Sequence, residues 1–124
     1  MNVKTLLADD SGTMRKIVLR SLNAMGITDV TEAADGQEAI ALFSLGQFDL
    51  VLTDWNMPHK TGLDVIEAIR ATGSKVPILK ITTEAEKRRV LDAIRAGVTD
   101  YLVKPFETDT LRAKIENVRA QCGV

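Results

Sequence analysis

Hydrophobic positions alternate between two spacings along the chain. Short apolar runs typical of buried parallel strands lie at residues 3–8, 30–34, 48–53, 76–82 and 100–104. Apolar residues at intervals of three and four predict amphipathic helices at 13–25, 36–46, 61 or 62–72, 84–96 and 108–121. This alternation predicts an α/β fold: a five-stranded parallel sheet covered on both faces by five helices, with right-handed crossover connections between the strands.

Length and charge limit the class of protein. The chain has 124 residues, and we expect one domain over residues 1–124 with no output domain attached. Its net charge of -1 lacks the basic excess that general nucleic-acid binding requires. No apolar stretch approaches the ~18 residues of a membrane span, and the amino end runs into Asp9 without a signal-peptide pattern. We therefore expect a cytoplasmic protein.

Sulfur and nitrogen ligands are scarce. The only cysteine, Cys122, excludes an internal disulfide and a cysteine-based metal site, and we interpret it as an incidental thiol. The only histidine, His59, has no second ligand at helical spacing. We interpret it as an exposed loop residue.

Polar residues collect where the predicted strands end. Asp9 and Asp10 follow the first strand, Asp54 follows the third, Thr82 ends the fourth and Lys104 ends the fifth. Ligands of open α/β sheets bind outside the carboxyl ends of the strands. Carboxylates gathered there would suit Mg²⁺, which removes their mutual repulsion. Asp54 stands alone and is the better nucleophile toward a phosphoryl donor, since Asp9 and Asp10 can hold the metal together.

Each of these residues also has an ordinary structural explanation. Asp9 and Asp10 could be turn and helix-cap residues, and Asp54 could be a turn acid. Thr82 could be present because threonine favours strands, and Lys104 could be a solvated loop lysine. Their joint placement at one edge of the predicted sheet favours the functional interpretation.

Several segments together resemble the receiver domain of the response-regulator superfamily, over the whole chain and most closely its single-domain chemotaxis members. The segments are Asp9-Asp10-Ser11, Asp54-Trp55-Asn56-Met57-Pro58, Gly62-Leu63, Ile81-Thr82-Thr83-Glu84-Ala85, Ala96-Gly97 and Tyr101-Leu102-Val103-Lys104-Pro105-Phe106. The resemblance implies a flavodoxin-like receiver fold with strand order 2-1-3-4-5, an order described for chemotaxis regulators of this kind.

The resemblance implies a two-component signalling switch that catalyses only its own phosphotransfer and dephosphorylation. A sensor histidine kinase of the chemotaxis type would phosphorylate Asp54. Asp10, Asp54 and the backbone carbonyl of Asn56 would hold Mg²⁺, and Asp9 would assist through water. Lys104 would contact the phosphoryl group.

The resemblance also implies how the signal leaves the site. Thr82 would move toward the phosphoryl oxygen, Tyr101 would turn inward, and the bond before Pro105 would be cis. The change would reach a protein-binding surface on the predicted elements at 84–96, 100–104 and 108–121. A flagellar motor switch protein or another downstream protein would bind a monomer there, and whether a phosphatase is a further partner stays open. Candidate surface residues are Ala85, Lys87, Val90, Tyr101, Val103, Phe106 and Lys114.

Other functions compete with this interpretation. A phosphorelay shuttle would use the same site. A flavodoxin-like binder of small phosphorylated molecules needs a phosphate-cradling loop after the first strand, where Asp9 and Asp10 would repel phosphate without a metal. An aspartyl-phosphate phosphatase needs a second acid and a cap, and no segment is left to form a cap.

Two residues depart from the receiver pattern. Thr61 stands where many receivers have Asp, which changes the expected cap of the third helix. Lys80 falls inside a strand expected to be buried on both faces, where an apolar residue is expected. Either its stem follows apolar surface while its amine reaches an acid or water, or it serves partner specificity.

Two positions in the resemblance tune hydrolysis of the phosphoryl group, Asn56 and Glu84. A polar Asn56 neither excludes nor blocks the attacking water, so we predict a short-lived phosphoryl state. The decay of the phosphorylated mass in buffer measures this lifetime. A half-life of many hours with Asn56 intact would contradict the prediction.

Overall fold

The computed structural model describes residues 3–55, 57, 59–83, 94 and 96–121. Five strands and four helices are defined within these residues. The strands are β1 (Thr5–Ala8), β2 (Val30–Ala33), β3 (Leu50–Asp54), β4 (Ile78–Thr83) and β5 (Asp100–Lys104). The helices are α1 (Gly12–Ala24), α2 (Gly36–Leu45), α3 (Gly62–Ala71) and α4 (Thr108–Gln121).

The strands form one parallel sheet in the order β2-β1-β3-β4-β5, which confirms the implied topology. The predicted helix at 84–96 lies largely outside the described residues. Within this range Ile94 and Ala96 are described, and both are helical. Four of the five predicted helices are thus defined in the described part of the chain. The Lys104–Pro105 bond is cis, as the resemblance implied. None of the described helices has the length and apolar character needed to cross a membrane.

Three strands, β1, β3 and β4, begin later than their apolar runs predict. Pro77 has no backbone N–H to give to the ladder, so β4 begins at Ile78, although the Pro77 carbonyl still accepts a hydrogen bond from Val51. The side chain of Asp49 accepts a hydrogen bond from the Lys4 N–H at 2.9 Å, and β3 begins at the next residue, Leu50. The prediction for β3 ended at residue 53, but Asp54 is its last residue.

Helix ends follow local hydrogen bonding. Ser11 caps α1 by accepting a hydrogen bond from the Met14 N–H. Thr61 and Asp64 form a reciprocal capping box at the start of α3, so threonine preserves the cap at the position where the sequence departs from the receiver pattern.

Two apolar clusters cover the sheet, because alternate strand residues point to opposite faces. The first joins strand residues to α1 and α4, and it includes Leu7, Leu52, Leu79, Ile81, Val18, Leu22, Leu111 and Ile115. The second joins strand residues to α2 and α3, and it includes Leu6, Val51, Ile78, Ala39, Val65, Ile66 and Ile69. Burial on both faces holds the carboxyl ends of the strands in fixed positions.

The start of α3 touches the end of β3 through backbone atoms. The Gly62 N–H donates to the Trp55 carbonyl at 2.9 Å. A β-carbon at Gly62 would lie 2.2 Å from the Asp54 carbonyl oxygen, which is closer than a carbon and an oxygen that are not bonded can approach. Only glycine permits this contact.

We expect Gly62→Ala to lower the free energy of unfolding by about 1–3 kcal/mol, because backbone must move to admit the added methyl group. Urea unfolding measures the loss. Gly12→Ala is a matched control at the start of α1, since its β-carbon would meet only the Arg15 side chain at 3.7 Å. Equal losses for the two variants would contradict the close-contact explanation.

Candidate functional site

The topology brings the acidic strand ends together. Asp9 directly follows β1 and Asp54 ends the neighbouring β3, where Ala8 and Thr53 are register partners. Asp9 is 1% exposed and Asp54 is 7% exposed, whereas Asp10 is exposed. One carboxylate oxygen from each of the three acids lies within 4.8 Å of the others. The predicted acidic cluster is therefore present as a compact group.

Lys104 at the end of β5 reaches this cluster. Its Nζ lies 3.4 Å from Asp54 Oδ1 and 3.8 Å from Asp9 Oδ2. The lysine side chain is 16% exposed. It is thus a largely buried cation between two buried carboxylates, not the solvated loop lysine of the ordinary explanation.

Backbone donors orient the two buried carboxylates. The Ser11 N–H donates to Asp9 Oδ1 at 2.9 Å, and the Trp55 N–H donates to Asp54 Oδ1 at 2.9 Å. Asp9 Oδ2 is buried and has no hydrogen-bond partner among the described residues. An oxygen in that position is suited to accept a cation or a donor from a ligand.

Burial disturbs the ionisation of both acids. It raises the pKa of Asp54 to about 6, and the negative charge of Asp9 adds to the effect while Lys104 opposes it. Burial also raises the pKa of Asp9, against the hydrogen bond from Ser11 and the charge of Lys104. Among the described residues, the charge of Lys104 offsets only part of the effect of burial on the two carboxylates.

The chain matches the response regulator receiver domain over residues 5–116. It is 42% identical to the chemotaxis protein CheY of Pseudomonas aeruginosa over 118 residues, which cover 94% of this chain and 95% of that protein. It is also 42% identical to CheY-3 of Vibrio cholerae over 119 residues, covering 94% and 92%. The structure of CheY4 from Vibrio cholerae superimposes with a TM-score of 0.86 at 36% identity, covering 95% of this chain and 99% of that one.

This chain belongs to the response regulator receiver family. Members of the family act as signalling switches rather than as conventional enzymes. The acidic group of Asp9, Asp10 and Asp54 occupies the acidic pocket of the receiver.

The two predicted switch residues of the receiver lie on neighbouring strands. Thr82 is fully buried in β4, and its hydroxyl donates to the Thr83 carbonyl at 3.3 Å. Tyr101 in β5 is half-buried, and the ammonium of Lys114 lies 5.3 Å from the centre of its ring. Lys114 also pairs with Asp100 at 3.1 Å.

A groove of about 700 Å³ opens beside Tyr101. Four of the predicted surface residues line it: Tyr101, Val103, Phe106 and Lys114. The other predicted surface residues, Ala85, Lys87 and Val90, lie outside the described residues, as do the proposed tuning residues Asn56 and Glu84.

Polar contacts of Arg15 and His59 were not predicted from the sequence. Arg15 Nη1 donates to the Asp9 carbonyl at 2.6 Å, and its Nε pairs with Glu32 at 3.2 Å. His59 is exposed, as predicted, but its Nδ1 also lies 2.9 Å from Asp35 Oδ2 at the start of α2. The partner of His59 lies 24 residues away, and no periodic pattern signals such a pair.

We expect Asp54→Asn to stabilise the metal-free receiver in a pH-dependent way. The native pKa of Asp54 is about 6 against an ordinary 3.8, so the native state binds the proton more tightly than the unfolded chain. The tighter binding of the Asp54 proton in the native state contributes fully to the free energy of unfolding below pH ~4. This contribution is lost as pH rises through ~6. The native and ordinary pKa values of Asp54 differ by roughly 2, so above pH ~7 Asp54→Asn can raise the free energy of unfolding by at most about 3 kcal/mol.

Urea unfolding in the presence of a chelator, followed from pH 4 to pH 8, measures the gain. Asp29→Asn is the control, because Asp29 is an exposed acid beside the amino end of β2. A stability difference for Asp54→Asn that stays constant with pH, or that shrinks as pH rises, would contradict the assigned ionisation.

Proposed function

We propose that Asp54 accepts a phosphoryl group from a sensor histidine kinase in a Mg²⁺-dependent reaction. The observation that carries the proposal is the placement of this buried carboxylate, 3.4 Å from the Lys104 ammonium and grouped with Asp9 and Asp10. The family match and the chemotaxis proteins among the relatives support the same function.

The described residues fit a hard divalent cation. Asp9, Asp10 and Asp54 offer only oxygen ligands. Asp9 Oδ2 accepts no hydrogen bond from the described residues, and this buried oxygen can bind a cation or its water. The raised pKa values of Asp9 and Asp54 point to charge that the protein alone does not neutralise. By resemblance, the carbonyl of Asn56 completes the ligand set. When bound, Mg²⁺ would neutralise the phosphoryl oxygens and keep the acids ionised.

In the proposed transfer, a carboxylate oxygen of Asp54 attacks phosphorus as the nitrogen–phosphorus bond of phosphohistidine breaks. The imidazole nitrogen keeps the electron pair of that bond, and an acyl phosphate forms on Asp54. The Trp55 N–H holds the carboxylate in one orientation before attack. Lys104 neutralises charge on the phosphoryl oxygens. In dephosphorylation, water attacks the same phosphorus as its bond to the Asp54 oxygen breaks, which releases inorganic phosphate and restores the carboxylate.

We infer that the product works by binding another protein. Thr82 would contact the new phosphoryl group through its hydroxyl, and Tyr101 would turn inward beside it. The receiving surface would include the groove lined by Tyr101, Val103, Phe106 and Lys114. Because the relatives are named as chemotaxis proteins, the proposed partners are a chemotaxis kinase and a flagellar motor switch protein. In this proposal the protein is a monomer and binds both partners in the cytoplasm.

Incubation with acetyl phosphate and Mg²⁺ tests the proposed acceptor. We expect the mass of one phosphoryl group to be added and the fluorescence of Trp55, the only tryptophan, to change. Chelation of Mg²⁺ should abolish the adduct, and Asp54→Asn should lower its rate of formation at least ~100-fold, since the nucleophile is lost.

Asp29→Asn is the matched control and should be labelled at the rate of the original protein. Equal labelling of Asp54→Asn and Asp29→Asn would exclude Asp54 as the acceptor. Labelling that persists after chelation would exclude the Mg²⁺ requirement.

A further inference from the structure

Lys80 is a lysine inside the hydrophobic core. It lies in the middle of β4, where Thr53 of β3 and Tyr101 of β5 are its register partners, and its exposure is 0%. It is among the largest fully buried side chains of the described residues. Burying an ammonium is costly, and an apolar residue of similar volume usually gives equal or greater stability. Its presence therefore calls for an explanation other than core packing.

The ammonium of Lys80 lies against the indole of Trp55. The distance from Lys80 Nζ to the centre of the ring is 3.7 Å, well within the range of a cation–π contact. Trp55 is itself only 4% exposed, so this contact is shielded from water. Such contacts strengthen when both groups are desolvated. This contact with an aromatic ring was not predicted from the sequence.

Trp55 connects this contact to the acidic site. Its backbone N–H donates to Asp54 Oδ1 at 2.9 Å, and its carbonyl accepts from the Gly62 N–H at 2.9 Å. The backbone of Trp55 is thus held on both sides, and Lys80 holds its ring. A shift of the ring would be transmitted through the backbone of Trp55 to the carboxylate of Asp54.

We propose that Lys80 is a positioning residue for phosphotransfer. By fixing the indole of Trp55, it holds the Trp55 N–H in place and thereby sets the orientation of the Asp54 carboxylate. The inference rests on the proposed function of Asp54. A direct electrostatic role is already filled by Lys104, whose Nζ lies 3.4 Å from Asp54 Oδ1.

Phosphorylation kinetics of Lys80 variants test this role. At saturating Mg²⁺, we expect Lys80→Met to lower the maximal rate of labelling by acetyl phosphate about tenfold, because a misoriented nucleophile attacks less often. The acetyl phosphate concentration that gives half the maximal rate should change less than about twofold, since donor binding is not affected. Lys80→Arg retains a cation that stacks on indole and should restore the rate to within about threefold.

Lys4 provides the matched control. Its Nζ also lies over an aromatic ring, 5.3 Å from the centre of Phe48, but it precedes β1 at the opposite end from the acidic group. Lys4→Met should be labelled at the original rate. Urea unfolding of Lys80→Met and Lys4→Met measures the stability of both variants, so that labelling rates are compared between folded proteins.

A double-mutant cycle identifies the route of the effect. If Lys80 acts through the indole, Trp55→Leu should slow labelling about as much as Lys80→Met, and the double variant should show no further loss. Labelling is followed by mass, because Trp55→Leu lacks the fluorophore. The cycle keeps the inference testable if Lys80→Met does not fold, since Trp55→Leu with the original rate overturns it.

Besides an original rate for Trp55→Leu, three results would overturn the inference: a Lys80→Met rate equal to the original, a Lys80→Arg rate as low as that of Lys80→Met, or losses in the double variant that simply multiply. If the original protein forms no adduct, the proposed function of Asp54 fails instead. The two failures are therefore distinguishable.

Discussion

Two buried carboxylates share one ammonium at the carboxyl end of the sheet, and the rest of the site depends on this incomplete neutralisation. Asp9 and Asp54 both carry raised pKa values because they are buried, and Lys104 compensates only part of their charge. A protein selected for stability alone would replace one acid by an apolar or amide side chain. The arrangement is understandable if the site is completed by a cation and used on an anionic phosphoryl group.

Rigidity around the acids is the second requirement, since charges left partly unbalanced would otherwise push the strand ends apart. Apolar clusters on both faces hold β1 and β3. The contact of Gly62 with the end of β3 fixes α3 against it without an intervening side chain. The Trp55 N–H then fixes the Asp54 carboxylate. Packing of backbone and side chains around the acidic group therefore restricts the orientations open to the Asp54 carboxylate.

The sequence predicted those features that depend on residue type and local period. Asp9, Asp54 and Lys104 could be placed at one edge because parallel strands align their carboxyl ends. Periodicity alone does not give strand order, and the order came from the family resemblance. Strand starts were missed where a missing N–H, as at Pro77, overrides an apolar run. The contact of Lys80 with Trp55 could not be predicted, because it depends on how side chains pack against the sheet.

Lys104 and Lys80 have separable roles because they contact different parts of the site. Lys104 touches the carboxylates and is slightly exposed, so it can follow charge added at Asp54. Lys80 touches Trp55 and has no exposure, so it can only hold what it contacts. It is also the register partner of Tyr101. In the proposed mechanism, a residue that supports Asp54 and borders Tyr101 would make the sheet itself, rather than a loop, the rigid connection between the proposed phosphoryl site and the proposed binding surface.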